Sequence, residues 1–94
     1  MKTLEELLME TCRVFSVEIE HVKGRDSSHE VVIARVAFCN AAKLYGYTGN
    51  SISAIINRPP NSVFYITNSK KQRTPLYERG YRDLKQRLGL LKNA

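Results

Sequence analysis

The run "NRPPNSVFY", residues 57 to 65, combines side chains that can read the edges of DNA bases. An asparagine pairs with adenine through two hydrogen bonds, a serine serves any base, and a tyrosine reaches phosphate. If the segment from Pro60 onward is helical, Val63, Ile66 and Phe64 are predicted to face the core. The face left over then carries Asn61, Ser62, Tyr65, Asn68 and Ser69. An ordinary solvated helix would show Glu and Lys there. This one shows short polar groups and a tyrosine, with no carboxylate to repel a phosphate backbone. A helix N-terminus would add free amides and the positive end of the dipole. The plainer alternative is that Asn61 and Ser62 merely cap the helix.

Cations flank this stretch. Arg58 sits where a turn is expected, and a guanidinium there can hold a phosphate bidentately. Lys70, Lys71 and Arg73 close the helix, where they can reach flanking phosphates or simply complement its negative dipole end. The chain carries a formal charge of +6, with a pI near 9.6, which favours polyanionic or acidic partners. The charges of residues 1–69 cancel. The excess lies beyond them, in Lys70, Lys71, Arg73, Arg79, Arg82, Lys85, Arg87 and Lys92 against Glu78 and Asp83.

Catalysis finds little footing, and no enzyme activity, cofactor, metal or small-molecule substrate is expected. His21 and His29 have no Cys or carboxylate set at metal-ligand spacing, and no glycine-rich phosphate loop occurs. Tyr65 or Tyr81 as a nucleophile would need an arginine–histidine constellation that the chain lacks. Cys12 and Cys39 sit among apolar residues and read as reduced core thiols. The opening "MKTLEELLMET" is acidic and amphipathic, unlike a secretory signal, and no apolar run reaches membrane-spanning length. These features fit a cytoplasmic protein.

The elements that must position these groups all read as helices. With 94 residues, one domain covering 1–94 is expected. Thr3 and Glu6 form a capping box for a helix to Phe15. Ser16 is positioned to cap a brief helix that stops at Gly24, anchored by Val17, Ile19 and Val22. Ser27 and Glu30 suggest a second capping box for the longest helix. Its apolar positions, Val32, Ile33, Val36, Ala37, Asn40, Ala41 and Leu44, cover more than half its circumference, which makes it central. Gly46 stops it. Thr48 caps a short helix over 49–57, Pro60 opens a helix to about Gln72, and Thr74 with Pro75 at the first position opens the last. This added C-terminal helix spans 74–91. Tyr77, Tyr81, Leu84, Leu88 and Leu91 form a heptad-like seam on it, which packs onto the core or joins a second copy. Gly80 and Gly89 weaken it. The predicted fold is all-α, a small domain of five to six helices containing a helix-turn-helix.

The stretch from Leu4 to Lys71 resembles the C-terminal DNA-binding domain of the bacterial replication initiator DnaA. That family orders a leading helix, a short turn, a basic loop, a long central helix and a helix-turn-helix with the signature G-G-R-D-H-T-T-V. Here the signature position reads "NRPPNSV". Arg58 matches the motif arginine and Val63 the motif valine, while Asn61 and Ser62 stand at the two threonines. Pro59 and Pro60 replace the Asp and His, which that family uses to read bases. The resemblance implies a Trp repressor-like helix-turn-helix, a target other than the DnaA box, and no ATPase part. It also implies that an arginine of the loop "VKGRDSSHE" enters the minor groove, for which Arg25 is the candidate. Arg35, on the following helix, contacts phosphate, pairs with Glu30, or covers the helix with its stem.

Together the residues and the resemblance predict sequence-selective binding of double-stranded DNA, as a replication or transcription accessory factor. The alternative is a protein-interaction module that engages a replication or transcription component through the same helix or the terminal seam. A second copy and a replication protein are thus the other candidate partners.

Overall fold

The computed structural model describes residues 2–24, 28–68 and 74–89, and all of its regular structure is helical. Six helices follow in order: α1 (Leu4–Phe15), α2 (Ile19–Lys23), α3 (His29–Tyr45), α4 (Gly49–Ile55), α5 (Pro60–Asn68) and α6 (Pro75–Arg87). None of them is long and apolar enough to cross a membrane.

Local chemistry sets where most of these helices begin. At α1, Glu6 N–H donates to Thr3 Oγ1 (3.2 Å) while Thr3 N–H donates to Glu6 Oε1 (3.0 Å), closing the capping box. The bond from the Thr3 amide is the first reason that the Glu6 carboxyl lies below its usual range. Thr48 and Thr74 cap α4 and α6 by accepting from Ser51 and Tyr77 amides, and Pro75 occupies the first turn of α6. α3 departs from expectation. Its N-cap is Ser28, without a side-chain cap bond, and Ser27 lies outside the described residues.

A shared device ends three helices. Ser16 (φ 56°), Gly46 (φ 109°) and Asn57 (φ 58°) adopt the left-handed conformation. The next amide in each case donates back to an orphan carbonyl: Val17 to Cys12 (3.0 Å), Tyr47 to Ala42 (3.0 Å) and Arg58 to Ser53 (3.0 Å). Ser16 therefore terminates α1 rather than capping α2, whose N-cap is Glu18. For the same reason α4 stops at Ile55, short of the expected Asn57.

α3 packs against all five other helices. Ala34, Ala37 and Ala41, all fully buried, recur at steps of three and four and let neighbouring backbones approach closely. Ile33 and Phe38 of α3 share one buried core with Leu7 and Leu8 of α1, Ile52 of α4 and Leu84 of α6. Leu44, expected on this buried surface, is 60 % exposed, on the open side of a last turn whose Ala42 is buried and whose Tyr45 packs against the core.

α6 closes the molecule on α1 and α3. Tyr77, Leu84 and Leu88 are buried, and Tyr81 packs partly buried against the core. The seam is therefore spent inside the monomer, which removes these residues from a dimer interface; Leu91 lies outside the described residues. Asn40 donates to Tyr77 Oη (2.8 Å), and the Tyr77 and Tyr81 rings stack at 5.3 Å. Gly80 owes its place to this closure, since a β-carbon there would lie within 2.5 Å of Phe15 Cζ.

Burial raises both thiols, from a usual 9.0 to about 11 for Cys12 and about 12 for Cys39. The folded chain holds these protons where an unfolded chain releases them. Stability is therefore full below about pH 9 and falls as pH climbs from there toward 11, since the unfolded state then binds fewer protons. Denaturant titrations between neutral pH and that range check the sign. Gly80→Ala is expected to lower stability by about 1–3 kcal/mol through overpacking, despite a helix-propensity gain of about 1 kcal/mol. Thermal melts of Gly80→Ala alone and combined with Phe15→Leu measure this, and the double variant should recover much of the loss.

Candidate nucleic-acid interface

α4 and α5 pack on each other and on α3, joined by the turn 56–59. The left-handed Asn57 reverses the chain, and the two prolines then fix its entry into α5. The prolines also carry a cost for anion binding. Pro59 and Pro60 have no N–H, and the Ser62 and Val63 amides already donate to Pro59 O at 2.9 and 3.3 Å. The helix start therefore offers fewer amides to an anion than its position suggests.

Val63 is buried and Ile66 packs on the core, which fixes the rotation of α5. The opposite face carries Asn61 and Tyr65, both exposed, with Tyr65 at 72 %. Ser62 is half-buried at its edge. α6 does not cover this face, since it packs on α1 and α3.

Phe64 is the correction. Expected in the core, it is 61 % exposed and stands on the outward face beside Tyr65, the two rings edge to face at 6.1 Å. Asn61, Phe64, Tyr65 and Asn68 follow the steps of three and four that define one helical stripe. That spacing was the signal that could have placed Phe64 among the polar residues.

The arginines divide by environment. Arg35 is not a phosphate contact, since it is only 7 % exposed. Its Nε donates to Val22 O (3.1 Å) and its Nη2 to His21 O (3.2 Å), two carbonyls left without helical partners at the end of α2. Arg58 is half-buried, donating through Nη2 to Gly24 O and through Nη1 to Asn57 O (3.3 Å). It braces the α4–α5 turn against the end of α2 at the margin of the outward face. Arg25, Lys70, Lys71 and Arg73 lie outside the described residues, as does the Asn68 side chain. The structure thus brings together Asn61, Ser62, Tyr65 and Arg58, adds Phe64, and sets Arg35 apart in the interior.

No Asp or Glu occurs between Glu30 and Glu78, so the chain from the second residue pair of α3 through α5 contributes no carboxylate. The ion pairs Arg13–Glu10 (3.4 Å) and Arg87–Glu10 (3.7 Å) involve α1 and α6 instead. No known protein family, curated protein or solved structure matches the chain.

Removing the Arg35 side chain strands two carbonyls and opens the core. Arg35→Ala should cost about 3 kcal/mol, from unmet acceptors together with lost packing. Arg35→Lys should recover only part, because one ammonium lacks the planar fork that spans both carbonyls. Equilibrium unfolding in urea checks both values.

Proposed function

We propose that this chain binds double-stranded DNA sequence-selectively, presenting α5 to the major groove, as an accessory factor in replication or transcription. The observation that carries the reading is the outward face of α5, exposed, free of carboxylates and furnished with Asn61, Ser62 and Tyr65. The net charge of +6 supports it. In this reading Asn61 pairs with an adenine edge, Ser62 and Tyr65 contact base and phosphate, and Arg58 holds a phosphate with donors not engaged by Gly24 and Asn57. Arg25, Lys70, Lys71 and Arg73 supply further phosphate contacts. The prolines at the signature's Asp and His positions direct the domain to a sequence other than the DnaA box.

A second reading has its own observation. Phe64 and Tyr65 form an exposed aromatic pair, of the kind that anchors protein interfaces, so α5 would instead dock on a replication or transcription protein.

Titration of the full chain against a random-sequence duplex at two salt concentrations separates the readings. Salt-sensitive binding is expected, with the logarithmic slope falling by about one in Arg58→Ala. Asn61→Ala should lose about 1–3 kcal/mol of discrimination against the wrong base at one position. Absence of duplex binding at low salt overturns the DNA reading and leaves the protein-docking one.

A further inference from the structure

Phe64 poses a separate question, because a large apolar ring in the middle of a polar reading face has no obvious use against phosphate or a base's hydrogen-bonding edge. Burial does not explain its orientation: Val63 and Ile66 already anchor α5, and the Phe64 ring stands on the far side of the helix from them. It is flanked in register by Asn61 one turn before, with Asn68 at the next position of the same stripe. The major groove presents one apolar group, the C5-methyl of thymine, and aromatic side chains contact it.

We propose that Phe64 is a specificity-determining residue that reads a thymine C5-methyl in the major groove; this rests on the DNA-binding reading above. The rise of about 4.5 Å along the helix axis from residue 61 to residue 64 compares with a base-pair step of about 3.4 Å. Asn61 and Phe64 therefore address neighbouring base pairs. The target class is a duplex site with an adenine read by Asn61 and a thymine within one or two steps of it. The Tyr65 ring lies edge to face with Phe64 at 6.1 Å, beside the contact. Charge permits the approach, since no carboxylate occurs in the sequence from Val31 to Tyr77.

The test removes the methyl alone. Sites selected from a random duplex pool by the full-length protein are remade with deoxyuridine in place of each thymine in turn. Wild-type protein should bind one or two of these duplexes about three- to fourfold more weakly, the worth of one buried methyl-sized group. Phe64→Ala should bind the thymine and deoxyuridine forms alike, while Phe64→Leu keeps part of the difference. Phe64 is exposed, so these variants should melt like the wild type, and a melt confirms it. Duplex binding indifferent to deoxyuridine at every position overturns this inference and leaves the DNA reading standing. So does a deoxyuridine penalty that is equal in wild type and Phe64→Ala. Preference for single strands, or no duplex binding at all, overturns both.

Discussion

A guanidinium does not give up its proton, so the Arg35 side chain inside the domain has to be met by acceptors. The carbonyls of His21 and Val22 provide them. The contact satisfies two needs at once, since the end of a helix as short as α2 has no internal partners for its last carbonyls. Arg58 repeats the arrangement two residues further on, at Gly24, from the turn before α5. The end of α2, the middle of α3 and the α4–α5 turn are thereby fixed to one another. The position of the α4–α5 turn against the end of α2 follows from two arginines holding three carbonyls.

This matters because the small helices cannot hold their own shape. A helix of five residues, like α2, or of seven, like α4, lies well below the length that is stable alone in water. Both depend on α3, whose alanines admit close neighbours and whose length spans the domain. α5 inherits its orientation from the same support through Val63 and Ile66. α5 thus rests on a helix buried from several directions, while Asn61, Phe64 and Tyr65 stay exposed on its other side.

What was legible in the sequence was the chemistry that acts over three or four residues. Thr3 with Glu6, Thr48, and Thr74 with Pro75 mark helix starts because the capping partner lies within one turn. Gly46 marks a stop because glycine takes a left-handed conformation without strain. Ser16 and Asn57 take that same conformation with a β-carbon, which composition does not signal, so one end was read as a beginning and another placed two residues late. Periodicity located the central helix but could not say which side of its last turn stays open, hence the exposed Leu44. At α5 the preference of phenylalanine for the interior outweighed its register with Asn61 and Tyr65. The inward turn of Arg35 depends on α2 carbonyls more than ten residues earlier in the chain. The fit of Gly80 to Phe15 likewise depends on a contact across most of the sequence, so the glycine read as a weakness of α6 is the condition for its docking.

The docking of α6 has a consequence for synthesis. A ribosome delivers this chain from its amino end at about 5–20 residues per second, and the side chains that seal α1 and α3, Tyr77, Leu84 and Leu88, emerge after both of those helices. Until they do, Leu7, Phe15 and Phe38 have no lid. The nascent polypeptide therefore completes this interior only once α6 has been made.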